Sequence, residues 1–461
     1  MSSTPRPSAV AAPPSPALRR ASLAVFLVFV LNGANFATWA SRLPAIRDGL
    51  ALDEREVGLL LLVGSCGSLL ALPLSGLVVE RLGARRTVLL FAALNATGLA
   101  VGAVGVALGS VALVAPGLVL FGIGTGVWDA AMNLEGAVVE RRLGRTVMPR
   151  YHAGFSFGTM GASALAAVLA GFAVPVVWHI PVVVALSTLV VAVVVRWFLP
   201  DDAAVRVVDR VVDRAGDGPV AAVPGTEPAV AAPAPTATRG ASGALAAWRE
   251  PRTLLIGLVV LAAALTEGAA NDWVSLAVVD GFATSDAVGA VAFGVFVTAM
   301  TAMRLLGTRL LDRYGRVVVL RVASVLAIAG LLVFVLVEPL WLALVGVAVW
   351  GLGAALGFPV GMSAASDDPE RAAMRVSVVS TIGYSAFLAG PPLLGLLAHV
   401  VGYRTALLAV LVPVVAGLLV VRAAAPLRPA EASGTGPATA PGPGAEDRPG
   451  ERSRAGAGDV A

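Results

Sequence analysis

The chain has 461 residues, 57% hydrophobic and only 13% charged, about half the charge of a typical soluble domain. That excludes an ordinary water-soluble enzyme and points to an all-α membrane protein. The basic residues are all arginine and leave a formal charge of +4, but they flank apolar segments, so the excess reads as membrane topology and not as nucleic-acid binding. A single cysteine, Cys66, and scattered His152, His179 and His399 leave no internal disulfide and no Cys/His metal set.

In chain order, residues 1–20 read as a disordered cytoplasmic N-terminus. Arg19 and Arg20 before "LAVFLVFVL" formally resemble a secretory signal, yet the apolar runs that follow favour an uncleaved first helix. A hydrocarbon core about 30 Å thick takes about 20 apolar residues per helix. On that basis twelve spans are predicted, at 22–41, 57–79, 87–109, 111–134, 153–173 and 176–198, then 253–276, 287–307, 317–337, 340–364, 376–398 and 403–422. They form a six-helix bundle over 21–198 and a second over 253–424. Between them, 199–252 turns Pro/Ala-rich ("AAVPGTEPAVAAPAPTATRGASG") and reads as a cytoplasmic linker. The low-complexity tail, 425–461, reads as disordered and cytoplasmic. With both termini cytoplasmic, only Arg42, Arg47, Arg55 and Arg404 fall on the outer side, as positive-inside topology requires.

The halves repeat one another. "ERLG" at 80–83 returns as "DRYG" at 312–315, "GFSFGTMGA" at 154 aligns with "GYSAFLAGP" at 383, and "GIG" at 122 with "GLG" at 351. The expected fold is therefore twelve transmembrane helices in two pseudo-repeated six-helix bundles, a secondary-transporter plan with its substrate site between the halves.

These residues resemble the major facilitator superfamily. "GLVVERLGARR" (76–86) is similar to that superfamily's loop between spans 2 and 3, with Glu80 where aspartate is usual. "TRLLDRYGR" (308–316) is its repeat copy, with Thr308 where a packing glycine would fall and Gly307 one residue early. "FATWASRLPAIRDGL", "MNLEGAVVERRLGRTVMPRYHAGFSFGTMG", "EGAANDW" and "GYSAFLAGPPLLGLLA" resemble a bacterial inner-membrane branch distantly similar to the proton-coupled fucose permeases. The resemblance implies alternating access, with Glu80, Arg81, Asp312 and Arg313 in an inner charge network that holds the outward-facing state. Span 5 lacks the proline of the drug/proton antiporter signature, which weighs against efflux.

Intramembrane charges carry the mechanism. With Arg141 at the headgroup level, a rise of 1.5 Å per residue puts Glu135 about 9 Å deep and Asp129 about 18 Å deep, near the midplane. Asp129 shares a helix face with Asn133, while Glu135 points away beside Trp128. Asp129, Glu135 and Glu267 are the candidate proton-coupling groups, each with the alternative of a structural bond or ion pair. Asn32, Asn35, Phe36 and Trp39 share one face of span 1, either as interhelical glue or as part of the cavity. With Trp128, Asn133, Asn271 and Tyr384 they complete the candidate substrate cavity. Arg304, within span 8, either snorkels to the inner surface or pairs with a carboxylate as part of the gating network. His152, at the mouth of span 5, reads as a solvated group or a proton shuttle.

No Walker loop and no convincing Ser/His or Cys/His pair is present, so no catalytic residues, cofactor or metal are expected. The "GxGxG" at 122–126 reads as close helix packing. The expected function is proton-coupled uptake of a polar or sugar-like small-molecule solute by a monomer in the lipid bilayer of the cell membrane. Proton-driven efflux of an amphiphilic compound or drug, and a non-transporting sensor or scaffold using the linker, are the alternatives.

Overall fold

The computed structural model describes residues 15–145, 147–200, 247–368 and 371–427. The expectations for residues 1–14, for most of the 199–252 linker and for the tail beyond 427 lie outside the described residues. Helix α1 (Pro16–Ala40) forms span 1, and a short α2 (Leu43–Leu50) leads to α3 (Glu54–Ala107). Spans 4 to 6 are α4 (Val111–Leu143), α5 (Met148–Gly171) and α6 (Val176–Val194). In the second half, spans 7 to 9 are α7 (Pro251–Gly281), α8 (Asp286–Tyr314) and α9 (Arg316–Leu336). Span 10 is divided into α10 (Leu340–Ala354) and α11 (Gly357–Ala365). Span 11 is α12 (Ala372–Val401), and span 12 runs through α13 (Tyr403–Ala406), a 3-10 turn and α14 (Leu411–Val420).

Eleven helical stretches among the described residues, with the pieces of spans 10 and 12 each taken together, are long and apolar enough to cross a membrane. The tally reaches twelve spans because α3 holds two: Gly83, at φ 77°, breaks it within "ERLG". Backbone geometry repeats between the halves. Gly83 and Gly315 (φ 75°), Ala51 (φ 52°) and Ala283 (φ 48°), and Ala173 (φ 53°) and Gly402 (φ 79°) are left-handed residues at matching helix joints. Alanine in that region is strained, so its appearance at equivalent joints marks turns imposed by the packing of the flanking helices.

Local chemistry sets several boundaries. Asp53 accepts the Glu56 N–H at 2.8 Å while Glu56 accepts the Asp53 N–H at 3.0 Å, a capping box that starts α3. Glu140 accepts the Val147 and Met148 N–H groups at 2.6 and 2.7 Å, capping α5 from the end of α4. The glycines of "GxGxG" pack helices as expected: Gly122 lies against Gly64, Gly124 against Asn95 and Gly126 against Ser68. Gly307 does the packing that Thr308 cannot, lying against Leu356 while Thr308 is exposed.

One membrane face carries the starts of α1 and α7 and the Gly83 and Gly315 joints; it is the terminal face, and the other is the far face. A large apolar core joins the two halves near the far face, where Trp39, Ile46 and Leu99 are continuous with Trp273, Leu407 and Tyr403. Towards the terminal face the first half has a separate core around Phe29, Trp128 and Tyr151. Among the described residues, the apolar core shared by the two halves therefore lies towards the far face.

Candidate functional site

Polar contacts follow the same asymmetry. At the far face Arg47 of α2 donates to Asp280 of α7 at 2.5 Å and lies 5.7 Å from the Tyr403 ring centroid. Burial opposes the Arg47 charge, but Asp280, Tyr403 and Asp48 outweigh it and hold the guanidinium above its ordinary value. His399 stands 3.3 Å from Glu54, and a side chain on Gly58 would strike the backbone of Pro391 and Gly395. Among the described residues no ion pair joins the halves at the terminal face. Glu80, Arg81, Asp312 and Arg313, the network expected to hold the outward-facing state, are exposed there and form no ion pair with a described residue in this structure. Among the described residues the polar contacts that close the halves together are those of the far face.

Between the halves, side chains from spans 4, 5, 7, 8, 10 and 11 gather. Asp129, Asp272 and Tyr384 are half-buried and His152 is exposed. Asp129, on span 4, acts electrostatically on Tyr384 of span 11, across the interface. Its carboxylate makes no hydrogen bond or ion pair among the described residues. Asn133 stays on the same face, donating to the Asp129 carbonyl at 2.9 Å. Tyr384 belongs to an aromatic row with Phe358 and Phe387, at centroid distances of 6.0 and 6.5 Å. Gly268 of span 7 packs on Phe387.

Arg304 is no snorkelling residue. It donates to Glu267 at 2.8 Å and to the Ala355 carbonyl at 3.2 Å. Ala355 stands where span 10 breaks between α10 and α11, and an interrupted helix leaves carbonyls that need donors. Arg304 therefore supplies a counter-ion and a cap in one side chain, and His152 of the first half lies within its electrostatic reach. Asn271, one turn beyond Glu267, is half-buried.

Other candidates turn away from this space. Asn35 is fully buried and donates to Asn95 at 2.9 Å, and Asn95 to Thr125 at 2.9 Å, tying spans 1, 3 and 4. Asn32 packs on Met132, Trp39 against Gly102, and Trp128 within the first-half core. Asn32, Asn35 and Trp128 thus pack inside the first bundle, the two amides bonded to neighbouring helices, while Trp39 belongs to the apolar core shared with the second half. Phe36 is partly buried beside Phe155 at 6.3 Å. Glu135 is 3% exposed and accepts the Leu199 N–H at 3.0 Å, which fastens span 4 to the end of span 6.

Sequence reasoning missed an ion network at the terminal face that, among the described residues, lies within the second half. Arg375 forks onto Glu250 and lies 3.2 Å from Asp368. Asp367 accepts from Arg252 at 3.0 Å and from Arg316 at 2.5 Å. Burial disfavours the Glu250 charge, but Arg375 and Thr253 outweigh it and hold the carboxyl below the usual glutamate range. A depressed folded-state value gives stability that is present above the unfolded value near 4.3 and lost as pH falls through the folded one. Glu250→Gln is expected to cost about 1–2 kcal/mol at pH 7. In thermal melts its deficit against wild type should shrink as pH falls below about 4.

Two repeated six-helix halves, shut at one membrane face and lined between them by charged and aromatic side chains, make a membrane transporter. Residues 25–266 and 256–455 match the family model of the Major Facilitator Superfamily. The chain is 32% identical over 402 residues to the "Uncharacterized transporter y4wD" of Sinorhizobium fredii, covering 84% of this chain and 96% of that relative. Its fold is similar to the crystal structure of the nucleoside transporter NupG, with a TM-score of 0.65 at 16% identity, over 89% of this chain and 98% of that one. It is also similar to the Major Facilitator Superfamily transporter FucP in the outward conformation, with a TM-score of 0.55 at 14% identity, over 88% and 98% of the two chains. The chain belongs to the Major Facilitator Superfamily.

Proposed function

We propose that this transporter takes up a polar, sugar-like solute together with protons, working as a monomer by alternating access with both chain ends in the cytoplasm. The observation that carries the proposal is Asp129. It is a carboxylate in the middle of span 4, facing the inter-half space, with no hydrogen-bond or ion-pair partner among the described residues. An ionised carboxylate so placed costs several kcal/mol, and taking up a proton removes that cost. Glu267, already paired with Arg304, is the less favourable carrier.

The aromatic row beside Asp129 suits a neutral ring-bearing solute, which stacks on Phe358, Tyr384 and Phe387 and hydrogen-bonds to the polar groups around them. The fold similarity to a nucleoside transporter supports a solute of that kind. The arginine bias supports a cytoplasmic terminal face, an orientation in which the closed far face is the outer one.

Proteoliposomes holding a trapped pH dye, challenged with nucleosides, hexoses and sugar acids, test the proposal. One class is expected to acidify the lumen on addition and to accumulate under an acid-outside gradient. A solute that is carried without moving protons, or that an acid-outside gradient drives outward, would overturn it.

A further inference from the structure

Away from the central space, a cleft of about 450 Å³ opens at the far face between the two halves. Its walls include Arg42, Gly49, Val106, Val176 and Val177 from the first half and Asp286 from the second. Arg42 is only 4% exposed. Its Nη2 donates to the Val174 carbonyl at 2.9 Å, while Nε and Nη1 have no partner. Burial holds this guanidinium below its ordinary value, with Asp286 acting in the opposite sense. The neighbouring His179, 2% exposed, also leaves both ring nitrogens unpartnered.

The N-terminus of α6 adds donors. Pro175 is its N-cap, and the helix's own bonding begins at the N–H groups of Trp178 and His179, which reach the Pro175 carbonyl. The Val176 and Val177 N–H groups, in the cleft wall, therefore have no acceptor within the helix. A buried guanidinium with two unused nitrogens beside a 19-residue helix's free N-terminus is an anion cradle. Asp286, half-buried in the first turn of α8, faces the same cleft and forms no ion pair with Arg42. Opposite charges thus share one cleft without touching.

We infer that this cleft binds a small zwitterion of the amino-acid type, its carboxylate on Arg42 and the α6 N-terminus and its ammonium on Asp286. A simple anion would meet the Asp286 charge, and a simple cation would meet Arg42. The valine and alanine wall accommodates an apolar side chain. Because Arg42 and Asp286 sit on different halves, the complete site exists only while the far face is shut, and its occupant favours that state.

Calorimetric titration of the detergent-purified full chain tests the site with glycine and L-leucine. The single-charge analogues 4-methylpentanoate and 3-methylbutylamine are titrated at the same ionic strength. L-leucine is expected to bind saturably, with each analogue at least tenfold weaker. Asp286→Asn and Arg42→Gln should each weaken L-leucine at least tenfold, and the half-buried Asp286 position keeps the test valid if Arg42→Gln fails to fold. Absence of saturable amino-acid binding overturns the inference. So does L-leucine binding that survives Asp286→Asn, or 4-methylpentanoate binding as tightly as L-leucine, which would mark an anion site only.

Discussion

Asp129→Asn is expected to abolish uphill accumulation while leaving solute exchange intact. On the coupling proposed above, one proton per solute and a gradient of one pH unit supply about 1.4 kcal/mol, enough for roughly tenfold accumulation. Asparagine keeps the shape and polarity of Asp129 beside Tyr384 but holds no exchangeable charge, so the variant should equilibrate its solute to a ratio of about one. Glu135→Gln provides the contrast. Its amide oxygen can still accept the Leu199 N–H that Glu135 now accepts, so tenfold accumulation should persist. Radiolabelled-solute uptake and counterflow in the same proteoliposomes separate the two activities. An Asp129→Asn protein that still concentrates its solute would remove Asp129 from the coupling step.

How much of this was legible from the amino-acid sequence depends on the range of the interaction. The spans were legible because membrane thickness acts on each stretch of about 20 residues independently, and the Gly83 and Gly315 joints because their motifs repeat. The break in span 10 was not. "GLGAALGFP" is continuously apolar, and the Ala355 carbonyl is freed where Arg304, 51 residues earlier, can cap it. Periodicity placed Asn32 and Asn35 on one face of α1, but an angle about a helix axis does not say which neighbour that face meets. Asn95 answers that question only in three dimensions. Arg47 and Asp280, 233 residues apart, and Arg375 and Glu250, 125 apart, carry no local pattern linking them. The candidate site was therefore readable as a set of unusual residues, while the division into cavity, packed interior and closed face required the contacts.

Gly158→Ala is expected to be among the most damaging single-methyl changes in the first half. A Cβ at Gly158 would lie 1.9 Å from the Val30 carbonyl oxygen, 2.8 Å from its carbon and 3.0 Å from the Ala34 nitrogen. All three are backbone atoms of span 1, so no side-chain rotation relieves the clash, and the helices must part by about 1 Å. Overpacking of this kind costs about 1–3 kcal/mol or more. The cost here should sit at the upper end, because a Cβ at Gly33 would likewise strike the Phe155 backbone, so spans 1 and 5 have no slack on either side. Gly161→Ala, one turn further along the same helix, meets nothing within 4 Å and should gain up to about 1 kcal/mol in helix propensity. Cys66, the chain's single thiol and partly buried, lets a thiol-reactive dye report melting without further labelling. Gly158→Ala should melt several degrees below wild type and Gly161→Ala at or above it. The same displacement would reach the proposed site, since Phe29 of span 1 packs edge-on against His152 of span 5 at 5.1 Å. Coincident melting of Gly158→Ala and wild type would show that spans 1 and 5 lie farther apart than this geometry requires.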